Sequence, residues 1–547
     1  MKNLKLYLFA LLASGAIMTS CDEEENLVEQ RKSDNPLPVV TDPSGSNGTV
    51  ALTKYVSIGN SITAGYMDGA LYTNGQAHSF ANMLGTQFQI SGVGGTTFNQ
   101  PDINSVNGYS GIGSNNSILG RYVLDLSIPG PRPLTGEVPT AYAGNKAELN
   151  NFAVPGMRIV DINSPALAGS NPLYARFAST PGTSTVLSDA LAASPTFYTY
   201  WLGNNDALGY AVGGGVNAAM ITSQADFQNA LASSLSQLAG TGAKGIVMTL
   251  PPLVVLPYFR AVKWNAIPLD QATADQLNTA LQGVNAALFG LTQLPAPFNT
   301  VYGISEAEYN KRKIAYAAGP NPILMHDKDL ADLGPNFDFL LASQQITAAQ
   351  RQALEPYRQS RPATSSDLPV LSAATVLGTG TAPIGLAIPI EDKYILSANE
   401  VVKTVTARAT FNQTIKGVVD QINAGAGATV ITLVDVQPKF ADLFGLDAAT
   451  VDQLALGLGT QSSIAAVKAE ADGQIVNGVN IGLGIKVNGT NLAPDFSPNG
   501  VFSTDGIHPN PRGHAIIANL ILSAMRTAYG VDIPDVDVLA QRGILVQ

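Results

Sequence analysis

The sequence predicts an α/β fold built around a parallel sheet, and one stretch of chain carries the pattern most clearly. Residues 197–202 form a short apolar run rich in aromatic side chains, which is typical of a buried strand. Residues 245–250 form a second such run, and two prolines end it. Between the two runs, apolar residues recur at helical spacing over 227–238, behind a capping-box pair at Ser223 and Asp226. Strand, helix and strand in this order indicate a βαβ unit, whose strands are parallel.

The same order of elements returns late in the chain. A capping box that begins at Ser397 precedes a long helical pattern over 401–422, and residues 429–434 then form a strand-like run. A last helix is predicted to begin with Asn510 as its cap and Pro511 in its first position, where proline is favoured. The parallel sheet is therefore expected to receive strands from two separate parts of the chain.

These two parts of the predicted sandwich are residues 51–255 and 391–535. The chain between them, residues 256–390, has scattered prolines and only short helical pieces, so it is expected to be an insertion that packs beside the sheet as a cap. A second insertion is expected at about 440–498, and a Gly/Asn/Ser-rich one at 91–131. The sequence indicates no oligomeric state.

The composition favours a large buried core and argues against a nucleic-acid partner. Of the 547 residues, 45% are apolar and 13% are charged, which differs from the composition of disordered chains. The net charge of −11 is the wrong sign for phosphate binding, which needs clustered Lys and Arg. The single cysteine, Cys21, excludes a disulfide framework and a zinc site built on thiolates.

The N-terminus has the organisation of a signal peptide over residues 1–20. Lys2 and Lys5 supply a positive start, and the apolar run 6–18 is too short to span a bilayer. Two small residues then precede Cys21, and this ending resembles the lipobox of bacterial lipoproteins. The resemblance implies cleavage before Cys21 and lipidation of that cysteine. The alternative is an ordinary cleavage site with a cysteine beside it.

Residues 21–50 have the composition of a flexible tether, because prolines, glycines and serines dominate the stretch. An acidic run at 22–25 resembles the export tag of surface lipoproteins in Bacteroides-like bacteria. The alternative is a solvated beginning of the tether. The resemblance implies a protein of the cell envelope, anchored to the outer membrane by lipid, and the sequence leaves open whether it faces the periplasm or the outside.

Ser61, Asp505 and His508 are the candidate catalytic residues. The β-prone run 55–58 ends just before Ser61, so a tight turn into a helix would expose the hydroxyl and direct the backbone N–H of Ser61 into a pocket. His508 follows Asp505 by three residues. This spacing on a loop lets the carboxylate hold the imidazole while the imidazole takes the proton of the serine.

Four segments, in chain order, resemble the sequence blocks of the SGNH/GDSL hydrolases. Residues 58–65 are similar to the first block, which carries the nucleophile, and residues 151–156 to the second. Residues 202–206 match the Gly-x-Asn-Asp of the third block, and residues 503–509 match the Asp-x-x-His-Pro of the fifth. The resemblance covers the two predicted core parts and leaves the 256–390 insertion aside.

The resemblance implies a fold and a set of roles. The fold is a flavodoxin-like three-layer α/β/α sandwich with a parallel sheet. Ser61 is the nucleophile, His508 the base and Asp505 the acid that orients it. The backbone N–H groups of Ser61 and Gly156 and the side chain of Asn205 form the oxyanion hole. No metal ion and no organic cofactor are implied.

The chain departs from the family pattern at three positions. Asn60 replaces the Asp before the nucleophile, and Ile62 replaces a Leu. Because Asn is nearly isosteric with Asp and can still hydrogen-bond the turn, the site is expected to be altered in detail but active. Pro155 precedes Gly156, where it would restrict the path of the loop. Asp206 is expected to stabilise the third-block loop.

The remaining histidines offer weaker alternatives. A metal site formed by Asp505, His508 and His514 matches no known metal spacing and would leave the serine unexplained. His514 is instead expected to be a surface or sheet-facing residue of the last helix. His78 and His326 fall in predicted loops without partners nearby in the sequence, so no role is assigned to them.

The predicted function is the hydrolysis of carboxylic esters, of a lipid or of an acylated glycan, through an acyl-enzyme. A lipid or generic ester is favoured because the 256–390 insertion is rich in Leu, Ala, Pro and Val. An apolar cleft there would favour lipid esters, and a polar cleft rimmed by aromatic residues would favour a carbohydrate O-acetyl esterase. The alternative from another class is a non-catalytic surface lipoprotein that binds a partner through a hydrolase scaffold.

Overall fold

The computed structural model describes residues 43–125, 130–444, 475–476, 479–480 and 484–545, so the predicted signal peptide and Cys21 lie outside it. The strands are β1 (Tyr55–Gly59), β2 (Gly111–Ile112), β3 (Ile118–Asp125), β4 (Gly130–Thr135), β5 (Phe197–Trp201), β6 (Lys244–Met248), β7 (Ile267–Leu269), β8 (Gly319–Asn321), β9 (Leu324–His326), β10 (Ser360–Pro362), β11 (Leu368–Pro369), β12 (Ile395–Leu396), β13 (Ile431–Val434), β14 (Ile475–Val476), β15 (Val479–Asn480), β16 (Ile485–Val487) and β17 (Thr490–Leu492).

The α-helices are α1 (Ser61–Ala64), α2 (Thr73–Ala77), α3 (Phe80–Phe88), α4 (Leu167–Ser170), α5 (Pro172–Ala175), α6 (Val186–Ala192), α7 (Asn205–Val212), α8 (Gln224–Gly240), α9 (Gln271–Ala280), α10 (Gln282–Thr292), α11 (Phe298–Tyr302), α12 (Glu306–Arg312), α13 (Gly334–Ala342), α14 (Ala348–Ala353), α15 (Ala398–Ala426), α16 (Gln437–Phe444) and α17 (Pro511–Tyr529). Short 3₁₀ turns lie at Lys146–Glu148, Ile159–Asn163, Ala218–Met220, Pro257–Phe259, Glu355–Tyr357, Leu371–Thr375 and Asp392–Tyr394. Within the described ranges, none of these helices has the length and apolarity that a membrane span requires.

A parallel sheet forms the centre of the molecule, with its strands in the order β1, β5, β6 and β13. An extended segment at 150–154 lies along the free edge of β1, also parallel to it. The Ser57 N–H donates to the Asn150 carbonyl at 2.8 Å, and the Val154 N–H donates to the Gly59 carbonyl at 3.0 Å. The carboxyl ends of the edge segment, β1 and β5 therefore meet at one edge of the sheet.

Helices cover both faces of this sheet. On one face, Phe197 and Trp201 of β5 contact the aromatic rings of α3, which packs against α17. On the other, the Tyr200 hydroxyl lies 2.9 Å from a serine hydroxyl of α8. Helix α8 packs in turn on α15, where Phe227 and Phe411 stack at 4.1 Å between ring centroids. The predicted three-layer α/β/α sandwich is confirmed.

The helix caps expected from the sequence are present. The Ser223 hydroxyl accepts from the Asp226 N–H at 3.1 Å at the beginning of α8. At the beginning of α15, the Ser397 N–H donates to the Glu400 carboxylate at 2.7 Å. The Asn510 side chain accepts from two backbone N–H groups of α17. Each cap gives a partner to a backbone donor that has none within the helix, which fixes where the helix begins.

Much of the segment 256–390 packs around an apolar core separate from that of the sheet, although Leu256, Phe259, Leu368 and Val370 belong to the core of the sheet. The centre of the separate core includes Leu288 and Leu291 of α10, Phe337 and Leu340 of α13, and Leu324 of β9. The short strands of this segment form two-stranded antiparallel pairs, β7 with β8 and β9 with β10. A body with its own core can keep its shape while it docks against the sandwich.

The other two predicted insertions are described to different extents. Within 91–131, strands β2 and β3 form an antiparallel sheet that continues into β4. Most of the predicted 440–498 insertion lies outside the described residues. Its described end forms the hairpin of β16 and β17.

His514 is buried on α17, facing α3. Its side chain has no exposed surface, and its Nδ1 accepts from the Phe80 N–H at 3.2 Å. Within the described part of the chain, Nε2 has no hydrogen-bond partner. Burial lowers the pKa of His514 to about 3, with smaller contributions from His508 and His78. The imidazole therefore stays neutral in the folded protein over the pH range in which an exposed histidine takes up a proton.

We expect this buried histidine to make the fold sensitive to acid. Because the pKa of His514 is lower in the folded than in the unfolded chain, its contribution to stability is complete above about pH 6.5 and is lost as the pH falls below that value. Between pH 7 and pH 5, the wild-type free energy of unfolding should fall by about 2 kcal/mol more than that of His514→Asn. Urea unfolding followed by tryptophan fluorescence measures the difference.

His78→Asn is the control for this measurement, because its Nδ1 only contacts the Asn74 carbonyl at the end of α2. It should lose as much stability as the wild type over the same pH interval. Equal acid losses for the wild type and His514→Asn would show that His514 does not cause the effect.

Candidate active site

Ser61 lies at the first position of α1, directly after β1. The Asn60 side chain accepts from the Ile62 N–H at 3.4 Å, so Asn performs the capping that was expected of it in place of Asp. Gly59 is required at the turn, since a Cβ there would lie 2.1 Å from the Thr63 hydroxyl. Ser61 keeps 8% of its surface exposed, at the carboxyl edge of the sheet.

The three predicted catalytic side chains lie in one hydrogen-bonded row. His508 Nε2 lies 2.8 Å from Ser61 Oγ, and His508 Nδ1 lies 2.9 Å from Asp505 Oδ2. Because a carboxylate only accepts hydrogen bonds, the proton of the neutral imidazole belongs on Nδ1. Nε2 is then left as an acceptor for the Ser61 hydroxyl. This arrangement is the one that a serine nucleophile and its general base require.

The Asp505 carboxylate is fixed by backbone donors of its own loop. Its Oδ1 accepts from the N–H groups of Ile507 and His508, both at 2.8 Å. Its Oδ2, which faces the imidazole, also accepts from the Gly69 N–H at 2.8 Å. Burial alone raises the pKa of the Asp505 carboxyl, but the adjacent His508 and these donors outweigh it and hold the pKa below the usual value. Asp505 is therefore ionised beside the imidazole.

Gly156 and Asn205, the two predicted oxyanion donors besides Ser61, lie on neighbouring elements. Gly156 follows the edge segment beside β1, in a turn where its φ of +81° suits glycine. Asn205 begins α7 after β5, and its Nδ2 donates to the Met157 carbonyl at 3.0 Å. This bond joins the second-block turn to the third block. The Pro155 carbonyl accepts from Asn171 Nδ2 at 2.8 Å, which holds the same turn from its other side.

One of the comparisons with known proteins found a match. Residues 55–309 and 331–521 match the family model of GDSL-like lipases and acylhydrolases. The chain belongs to this family. Searches of curated proteins and of solved structures found no match. The match includes all four blocks and supports an esterase- or lipase-type hydrolase. It also covers 256–309 and 331–390, so the expectation that the family resemblance leaves the 256–390 segment aside was wrong.

Three tyrosines that the sequence analysis did not identify surround the Asp505–His508 pair of this GDSL-like acylhydrolase. The Tyr66 ring lies 4.9 Å from the imidazole between centroids. The Tyr122 ring lies against Gly69 and the Tyr258 backbone against Gly506, so both tyrosines border the Asp505 loop. Burial is the main cause that raises the pKa of each phenol, and the charge of Asp505 adds to it. Tyr122 belongs to β3 and Tyr258 to the beginning of the segment 256–390, so two of the predicted insertions reach the site.

Tyr258 contacts the loop of Asp505 and His508 through its backbone. The Tyr258 N–H donates to the Gly506 carbonyl at 2.9 Å. Gly506 has a φ of +72°, and a Cβ at this position would lie 2.8 Å from the Tyr258 nitrogen. Glycine thus allows both the turn between Asp505 and His508 and the close approach of the neighbouring segment.

Asp206 stabilises the third-block loop, as expected. Its carboxylate accepts from the Ile159 N–H at 2.9 Å and from the Thr222 hydroxyl at 2.6 Å. Burial raises the pKa of Asp206 to about 6, although the hydrogen bonds oppose the rise. Since Ile159 begins the 3₁₀ turn after Gly156, Asp206 supplies a second link between the two loops that carry the predicted oxyanion donors.

The expectation for His326 is corrected by the structure. It is the last residue of β9 and not part of a loop, and its Nδ1 lies 2.6 Å from Asp392 Oδ1. That partner is 66 residues away, so no local pattern predicts it. The pair lies outside the Ser61 site. Within the described ranges, no group of three or more His, Cys, Asp or Glu side chains is arranged to hold a metal ion.

Proposed function

We propose that this acylhydrolase cleaves carboxylic esters with Ser61 as nucleophile, His508 as general base and Asp505 as the acid that orients it. One observation carries the proposal: the His508 imidazole bridges Asp505 Oδ2 at 2.9 Å and Ser61 Oγ at 2.8 Å. A non-catalytic binding scaffold has no need for a serine hydroxyl aligned with an imidazole and a buried carboxylate.

The first half of the reaction forms an acyl-enzyme. Ser61 Oγ attacks the carbonyl carbon of the ester while its proton moves to His508 Nε2. The Nδ1 proton stays on the imidazole, where the ionised Asp505 stabilises the positive charge. The tetrahedral intermediate collapses when the C–O bond to the alcohol breaks, and His508 Nε2 returns the proton to the leaving oxygen.

The second half hydrolyses that acyl-enzyme. His508 Nε2 takes a proton from a water molecule, whose oxygen attacks the acyl carbon. The acid leaves as the bond to Ser61 Oγ breaks, and the proton returns to the serine. Because the base acts only as a neutral imidazole, activity is expected to fall on the acid side.

The proposed oxyanion hole receives donors from three elements. The Ser61 N–H lies at the N-terminus of α1, the Gly156 N–H in the turn after the edge segment, and Asn205 Nδ2 at the beginning of α7. Asn205 Nδ2 carries two hydrogens, and one of them is held by the Met157 carbonyl. The second is free to meet the developing negative charge, with the side chain already oriented before the substrate arrives.

A lipid or generic carboxylic ester is the favoured substrate class. The support is compositional, because residues 256–390 are rich in Leu, Ala, Pro and Val. The small apolar cavity between α16 and α17 is lined by none of Ser61, Gly156, Asn205 and His508, so it does not support a substrate class. The second candidate is an acylated glycan, which the tyrosines around the imidazole favour because aromatic rings stack on sugars. The groove on the 256–390 segment has a mixed lining, with Lys311 and Thr364 beside Pro322 and Ala363, so it favours neither substrate class.

The location of the enzyme is also proposed from its sequence. Cleavage before Cys21 and lipidation of its sulfur and new amine would anchor the chain in the outer membrane, with residues 21–50 as a tether. The lipobox-like ending of the signal sequence supports this.

Replacing the nucleophile should abolish the activity. For Ser61→Ala we expect kcat/KM on p-nitrophenyl esters to fall by about 10,000-fold or more, because no other group can form the acyl-enzyme. A series from acetyl to palmitoyl esters, together with an acetylated oligosaccharide, defines the substrate class. We expect kcat/KM to rise with chain length.

Ser57→Ala is the matched control, because Ser57 is a buried serine of β1 whose hydroxyl has no partner in the described part of the chain. It should keep the activity. If acetate is released fastest from the acetylated oligosaccharide, the favoured substrate class is an acylated glycan and not a lipid ester. Equal activity of the wild type and Ser61→Ala would refute the serine mechanism.

The oxyanion hole is tested at Asn205. Asn205→Ala should lower kcat by about 100- to 1,000-fold with little change in KM, because the lost donor acts mainly in the transition state. Asn204→Ala is its neighbour and control, since both polar atoms of the Asn204 side chain lack a partner among the described residues. A loss confined to KM would assign Asn205 to substrate binding.

The lipid anchor is tested at the single cysteine. Cys21→Ser should move the protein from the membrane fraction to the soluble fraction of the producing cell. Serine has no sulfur atom, so it cannot form the thioether bond to the lipid. Metabolic labelling with a fatty acid measures the modification directly. Labelling that persists in Cys21→Ser would show that another position is lipidated.

A further inference from the structure

The loop that follows α1 is joined to the loop of Asp505 and His508. The two are 436 residues apart in sequence, and the Gly69 N–H of the first donates to Asp505 of the second. Asp68, the residue before Gly69, has 1% of its surface exposed. Neither the block pattern nor the mechanism above assigns a role to this buried carboxylate.

Asp68 makes most of the hydrogen bonds between these two loops. Its Oδ1 accepts from the Thr504 N–H at 3.1 Å and from the Thr504 hydroxyl at 2.9 Å. Its own N–H donates to the Ser503 hydroxyl at 2.9 Å. The two residues directly before Asp505 are thus held by Asp68, which lies seven positions after Ser61 in the segment that carries the nucleophile.

The backbone conformation at Asp68 is one that glycine adopts more readily than aspartate. Its φ is +53°, in the left-handed region that favours glycine. A glycine would adopt this conformation without strain and would complete the same turn. The aspartate instead forms side-chain hydrogen bonds that a glycine cannot make, and these offset the cost of the strained backbone.

Gly69 links Asp68 to the hydrogen-bonded row of Asp505, His508 and Ser61. Its N–H donates to Asp505 Oδ2, the same oxygen that faces His508 Nδ1. The peptide group between Asp68 and Gly69 supplies that N–H, so its direction follows from the position of Asp68. Gly69 cannot carry a side chain here, because a Cβ would lie 2.3 Å from the Tyr122 ring.

Two further residues, Tyr72 and Arg542, hold the Asp68 carboxylate. The Tyr72 hydroxyl donates to Asp68 Oδ2 at 2.7 Å, and Arg542 Nη2 donates to the Tyr72 oxygen at 2.8 Å. Arg542 belongs to the segment after α17, and its Nε donates to Asn74 Oδ1 at 2.9 Å. The guanidinium thus places a positive charge behind the Asp68 carboxylate, through one phenol.

We propose that Asp68 is a positioning residue that sets the orientation of Asp505, and through it the alignment of the His508 imidazole with Ser61. This role rests on the proposed function, since it concerns the same row of side chains. Asp68 touches neither substrate nor reacting atoms; it acts by holding the loop of Asp505 against the loop of the nucleophile.

The test compares Asp68→Asn and Asp68→Gly with the wild-type full chain. We expect kcat on a p-nitrophenyl ester to fall about 10- to 100-fold in both variants, with KM unchanged, because the imidazole is misaligned while the binding surface remains. Asp68→Gly relieves the positive φ but leaves the donors of Thr504 and Tyr72 without their acceptor, so we expect it to unfold at a lower temperature than the wild type. Activity is therefore compared well below the unfolding temperature of each variant, and a loss of kcat in fully folded protein separates positioning from folding.

A spectroscopic measurement makes the test independent of turnover. The chain has four histidines, so the far-downfield proton spectrum is sparse, and the Nδ1 proton of His508 is assigned by its absence in His508→Asn. We expect this resonance in the wild type and its displacement or loss in both Asp68 variants. If no ester is hydrolysed even by the wild type, the proposed function fails, while this resonance still decides the role of Asp68.

Asp189→Asn is the matched control. Asp189 is also a buried carboxylate that accepts from a tyrosine hydroxyl, Tyr174, at 3.0 Å, and its other partners lie at 179–184, away from the Asp505 loop. It should leave both kcat and the resonance unchanged. Wild-type kcat and an undisplaced resonance in Asp68→Gly would overturn the proposal.

Discussion

The parallel pairing of β1 with its two neighbours is the constraint on which the candidate site depends. Gly59 lies opposite Trp201 of β5, and on the other side its carbonyl accepts from Val154 of the edge segment. Because all three segments run in the same direction, the chain leaves them at one edge of the sheet. The backbone hydrogen bonds of these segments therefore bring Ser61, Gly156 and Asn205 to the same edge of the sheet. Side chains are needed only to complete the arrangement.

The loop that carries Asp505 and His508 does not follow a strand of this sheet, so it is held differently. Backbone donors of its own turn and of Gly69 fix the carboxylate, and Tyr258 fixes the turn through Gly506. Three parts of the chain, one of them the beginning of the 256–390 segment, thus share the support of one loop. This is why the segment is integrated with the site although much of it packs around its own core.

The sequence predicted the sandwich and the row of Ser61, Asp505 and His508 because both depend on local patterns. Strand runs, capping residues and short blocks are each contained within a few positions. The walls of the site have no such pattern: Tyr66, Tyr122 and Tyr258 come from three segments that meet only in the folded chain. His326 was assigned wrongly to a loop because β9 has only three residues, too few to show alternation. The Asp68–Gly69 pair resembles an ordinary turn until its partners near residue 504 are known.

The site is built from residues far apart in the sequence, and this has a consequence for when it can form during synthesis. Ser61 and His508 are separated by 447 positions, and Arg542, which contacts Tyr72 behind Asp68, comes later still. Synthesis proceeds from the N-terminus, so the proposed nucleophile Ser61 is present long before its proposed base. A chain that ends before Asp505 holds the serine without an aligned imidazole. In the proposed mechanism, ester hydrolysis therefore becomes possible only after the chain has been made through His508 and folded around it.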